Sequence, residues 1–162
     1  MATPNAQVNP DVLLQYEYLV RSYLQDYSEN NKLLPDEQEY STGLINQNIL
    51  MALDLYNKTI GYITDDTLEN FPVPTLLVIG AAALCLVSGG VLQTRNHFSI
   101  SDGALGGPLS EKSEYYRSWG NTLMELFTKF ATKYKDSRNS EGGYSSISSS
   151  YLCAYADRMR GK

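Results

Sequence analysis

The sequence predicts an all-α fold, a small bundle of about four helices followed by an extended C-terminal arm. Apolar residues recur at alternating steps of three and four over most of the chain, which is the spacing of one helix face. Polar segments with prolines and glycines separate these periodic stretches, and strand-like alternations such as GYIT are short and isolated. The length of 162 residues fits one domain with its own core.

The first predicted helix spans residues 9–28. Asn9 is its expected N-cap, Pro10 takes the first helical position and Asp11 lies in the first turn. Its apolar stripe packs most simply on the chain's own core and consists of Leu13, Tyr16, Val20, Tyr23 and Tyr27. The chain has 13 tyrosines, and tyrosine suits partly solvated interfaces because it combines an apolar ring with a polar hydroxyl. The candidate interface residues on this helix are therefore Tyr16, Tyr23 and Tyr27.

The second predicted helix runs from about Thr42 to Tyr62. Its apolar side consists of Ile45, Ile49, Ala52, Leu53, Tyr56 and Ile60. The segment TDDTLENFPVP follows, and its two prolines fit a stop before the next element. Its acids lack the spaced oxygens and the central glycine of an EF-hand loop, so we interpret them as turn and helix-start residues.

Residues 71–94 form an uncharged run. The run is long enough for a transmembrane helix, so that alternative has to be weighed. Gly80, Ser88, Gly89, Gly90 and a block of alanines lower its hydrophobicity, and neither a basic cluster nor a pair of aromatic belts flanks it. A helix that is apolar all round is also typical of the buried centre of a bundle. We expect a core helix.

The segment after this helix, TRNHFSISDGALGGPL, holds the single histidine of the chain and several glycines. A turn between two helices explains these residues, because Asp102-Gly103 is a turn dipeptide and Gly106-Gly107-Pro108 lets the chain reverse. The predicted helix-connecting turn consists of Arg95, Asn96, Asp102, Gly103, Gly106 and Gly107.

No catalytic, cofactor or metal site is predicted. His97 has neither a nucleophile elbow nor a second histidine beside it, and no strand precedes the glycines, as a phosphate- or dinucleotide-binding loop requires. Cys85 and Cys153 lack the paired spacing of zinc ligands, and we expect free thiols in a reducing compartment. The sequence therefore predicts a protein that is not an enzyme.

The fourth predicted helix completes the helical body, residues 1–138. Ser110 is its expected N-cap, and Glu111 and Glu114 lie in the first turn. Its apolar stripe consists of Tyr116, Trp119, Leu123, Leu126, Phe127, Phe130 and Tyr134.

Residues 139–162 are predicted to be a linker and a docking arm. The stretch NSEGGYSSISSS is rich in serine and glycine, which is typical of a linker. The segment after it combines apolar side chains, suited to burial on a partner, with basic side chains that an acidic surface would attract. The candidate contact residues are Tyr151, Leu152, Tyr155, Met159, Arg158 and Arg160.

The net charge of −5 is unevenly spread along the chain. Up to Thr94 there are three basic and eleven acidic residues, whereas from Arg95 onward there are ten basic and seven acidic ones. Two halves of opposite sign can complement one another between copies or partners. The basic residues are too mixed with acids for a nucleic-acid-binding face, and the N-terminus has no pattern of a secretory signal.

The order of motifs between about residues 44 and 139 is similar to that of a known family. A helix with ALDLYNKTIGY precedes an acidic, proline-bearing linker and an apolar helix ending in QTRNHFSISDGAL, after which a helix opens with SEKSEYYRSW. This order resembles the small all-helical head–tail connector proteins of tailed bacteriophages, also called adaptor, head-completion or neck ring proteins. Their members often carry an Arg-Asn helix end, a Ser-Asp-Gly turn and a tyrosine-bearing helix.

The resemblance implies a virion structural protein without a cofactor. Such proteins form a ring of identical subunits, commonly twelve, between the portal protein and the next neck or tail protein. Packaged DNA passes through the channel without sequence-specific contact, and termini or arms reach the neighbouring rings. The resemblance implies a location in the virion neck after assembly in the host cytoplasm, with no membrane involved.

Two other classes stay open on the sequence. A small membrane protein, such as a holin-like factor, would use the uncharged run 71–94 as its span. A cytosolic helical regulator or binding module would use the same bundle as a monomer.

Overall fold

The computed structural model describes residues 9–30, 37–60, 63–95 and 109–160, with the backbone alone for 109–112 and 141–160. The described part of the chain contains four α-helices, one 3-10 turn at Ser28–Asn30 and no strand, which confirms the all-α class. The helices are α1 (Pro10–Leu24), α2 (Thr42–Lys58), α3 (Pro74–Arg95) and α4 (Leu109–Arg160).

Helix α1 begins as the sequence predicts, because the Asn9 side chain accepts a hydrogen bond from the Asp11 N–H at 3.1 Å. It ends at Leu24, where Gln25 adopts a left-handed conformation and closes the last turn, so Tyr27 lies beyond the helix. Its buried residues are Tyr16, Glu17, Val20 and Arg21. The predicted stripe is therefore wrong at its end, since Tyr23 is 48% exposed.

Helix α2 is capped by Ser41, whose hydroxyl accepts from the Leu44 N–H at 3.3 Å. It ends at Lys58 and not near Tyr62, and Ile60 is 85% exposed, which corrects its predicted place on the core face. The reason is a long-range cap. The Lys135 ammonium of α4 donates to the carbonyls of Tyr56, Asn57 and Thr59, so these carbonyls are satisfied without a further turn.

Helix α3 lies at the centre of the bundle and contacts the other three helices. Its small residues let α4 approach closely: a Cβ at Gly80 would lie 2.8 Å from the ring of Phe127, and one at Gly120 would lie 2.8 Å from Val87. Helix α3 is long and apolar enough to cross a membrane, as the sequence indicated, but half of its most apolar stretch is buried by the rest of the chain. This burial is typical of a core helix.

Helix α4 carries two apolar faces instead of one. Leu123, Phe127 and Ala131 are buried against the core, whereas Trp119 is 62% exposed and Phe130 is 50% exposed. The predicted apolar stripe is therefore only partly buried, since Trp119, Leu126 and Phe130 of that stripe are exposed. The helix begins at Leu109, one residue before the predicted N-cap Ser110.

The backbone of α4 continues without a break to Arg160, which corrects the predicted Ser/Gly linker after residue 139. Serine and glycine each disfavour a helix by less than about 1 kcal/mol per residue. The costly step in helix formation is nucleation, and here the packed part of α4 supplies the nucleus. Propagation can then carry the helix through residues that would not start one. A docking role for residues 139–162 stays a prediction.

Candidate interaction surface

The predicted helix-connecting turn is described at one end only. Arg95 is the last residue of α3. The remaining turn residues lie outside the described part, namely Asn96, Asp102, Gly103, Gly106 and Gly107. His97 also lies outside it.

The predicted interface residues fall into three groups. Tyr16 is 6% exposed and belongs to the core, which corrects its assignment to an interface. Tyr23 is exposed on α1, and Tyr27 is half-buried just past the helix end. The side chains of the C-terminal candidates lie outside the described residues, although their backbone is helical, and these are Tyr151, Leu152, Tyr155, Arg158, Met159 and Arg160.

A buried arginine fastens α1 to the start of α2. Arg21 donates from Nε to Glu17 at 2.9 Å, from one terminal nitrogen to Asp26 at 2.7 Å, and from the other to the Thr42 hydroxyl at 3.1 Å. Asp26 also accepts the backbone N–H of Glu39 at 2.7 Å. All three charged side chains are almost fully buried. This cluster is closed by hydrogen bonds within the chain, so its role is to hold the scaffold.

The Lys135 side chain and a tyrosine hold α4 to the rest of the bundle. The Lys135 Nζ donates to the carbonyls at the end of α2 and also lies 4.8 Å from the centre of the Tyr56 ring. Burial lowers the pKa of the Lys135 ammonium from its ordinary value, and the Asp66 carboxylate opposes this shift. The Tyr116 hydroxyl donates to Glu39 at 2.7 Å. These contacts fix the position of α4 on the body.

Cys85 lies in the core, where the Asn48 amide donates to its sulfur at 3.2 Å. Burial raises the pKa of the Cys85 thiol to about 11, so the thiolate that reacts or binds metal is disfavoured. Among the residues that the structure describes, no group of three or more histidine, cysteine or carboxylate side chains is placed to hold a metal ion. Cys85 therefore acts as a small core residue.

Exposed apolar side chains occur on each of the four helices, and those on α4 form a stripe. We define the aromatic stripe as Tyr115, Trp119, Leu126 and Phe130, all of which are exposed. Their spacings of four, seven and four residues place them along one side of the helix, next to the buried side. Apolar side chains aligned on one exposed helix face are typical of a protein–protein contact.

A second exposed apolar group lies on the connection between α2 and α3. Ile60 is 85% exposed and Ile63 is 81% exposed, the largest values among the exposed large apolar side chains in the described ranges. We call these two residues the isoleucine pair. Sequence periodicity missed them, since Ile60 fits the helical spacing of α2 and only the early end of that helix turns it outward.

Comparison of the chain with protein-family models, with curated proteins and with solved structures finds no match.

Proposed function

We propose that the chain is a structural subunit of the ring that joins head and tail in a tailed bacteriophage. The observation that carries this proposal is the aromatic stripe on α4. The core is closed without it, because α4 already buries Leu123, Phe127 and Ala131 on its other side. A soluble monomer gains nothing from exposing a tryptophan and a phenylalanine along one helix, whereas a subunit of an assembly buries them on a neighbour.

Further support comes from the way in which the body is built. The ionic and polar groups in its interior, such as Arg21 and Lys135, join one element to another. A rigid body with an uncovered apolar face suits a structural subunit, which must keep its shape within an assembly. This role requires neither a catalytic site nor a cofactor. The order of helices and turns between residues 44 and 139 resembles that of the head–tail connectors.

In this role, copies of the chain form a ring between the portal protein and the next neck or tail protein. In the connectors that the chain resembles, such a ring commonly has twelve subunits. The ring continues the DNA channel without sequence-specific contacts. The chain assembles in the host cytoplasm and resides in the virion neck. Residues 139–160 form the last part of α4, and we expect them to be the arm that reaches the portal or the next ring.

Deletion of the gene from the phage that encodes the chain tests this function. We expect infected cells to lyse on time and to release DNA-filled heads and separate tails, because the ring that joins them is missing. A plasmid copy of the full chain should restore joined particles. A copy that ends at Gly143 should not, because it lacks most of the arm. Electron microscopy of the lysate counts the joined and separate particles.

A membrane role is the second candidate, and the length and apolar character of α3 favour it. The same deletion separates the two functions. Loss of a holin-like factor would leave complete particles inside cells that fail to lyse, whereas loss of a connector leaves lysis intact. Complete infectious particles from the deletion phage would contradict the connector function.

A further inference from the structure

We draw no further inference here: the strongest candidate, the apolar groove between α1 and the segment before α3 that Tyr16, Leu19, Leu68 and Phe71 line, is an unpartnered surface, and nothing in the part of the chain that the structure describes shows what covers it.

Discussion

Arg21→Met is expected to lower the free energy of unfolding by about 3–5 kcal/mol, because it leaves Glu17 and Asp26 as buried carboxylates without their cation. Methionine keeps much of the apolar volume, so the loss reports mainly on charge and hydrogen bonding. Urea denaturation followed by far-UV circular dichroism measures the change. The matched control is Arg138→Met at an exposed position of α4, which should change stability by less than about 0.5 kcal/mol.

A second variant shows whether the buried charge is the cause. Arg21→Met combined with Glu17→Met removes one of the two stranded carboxylates, so it should recover part of the lost stability. If Arg21→Met costs no more than Arg138→Met, the cluster does not hold α1 to the segment before α2. If the double variant is less stable than Arg21→Met, packing and not charge dominates at this site.

Gly80→Leu is expected to destabilise the protein by about 1–3 kcal/mol or to prevent folding, because the new side chain has no room between α3 and α4. Its Cβ alone would lie 2.8 Å from two ring atoms of Phe127 and 3.2 Å from the Cβ of Ala52. The ring of Phe127 is itself buried and cannot turn aside. Thermal and urea unfolding of the purified variant measure the loss.

Gly43→Leu is the matched control for this substitution. Gly43 also lies in a helix, but a Cβ there meets nothing within 4 Å, so leucine should be neutral or slightly stabilising through its higher helix propensity. A Gly80→Leu variant that is as stable as Gly43→Leu and partitions into the membrane fraction would contradict the bundle and favour a membrane span for α3.

Local signals in the sequence predicted much of the fold. Asn9 and Pro10 indicated the start of α1, and the uncharged run 71–94 indicated a helix, which the structure places over Pro74–Arg95. Capping and hydrophobic periodicity depend on residues a few positions apart, so both can be recognised in a single sequence. The structure adds that α3 is the helix on which the others pack.

The predictions from the sequence were wrong where a helix end or the burial of a side chain depends on residues far apart in the chain. The end of α2 depends on Lys135, 79 positions beyond Tyr56, so the spacing of Ile60 wrongly predicted a core position. The burial of Arg21 depends on Tyr40 and Thr42, which a helical pattern within α1 cannot reveal.

The candidate surfaces show the same limit. The aromatic residues of α4 were visible, but periodicity alone does not say which of two neighbouring apolar faces the core covers. The sequence therefore placed Trp119, Leu126 and Phe130 on the same stripe as the buried Leu123 and Phe127, and the position of α3 separates them. Serine and glycine after residue 139 suggested a linker, since propensity scales describe isolated segments and not the continuation of a packed helix.

The location of the chain in purified particles tests the connector function most directly. Cryo-electron microscopy of virions that carry a small epitope tag after Lys162, decorated with the matching antibody fragment, shows where the chain lies. We predict a single ring of density, with the fragments arranged around it, between the portal and the tail. Particles that are complete and infectious but contain none of the chain, with all of it in the membranes of the infected cell, would contradict the connector function.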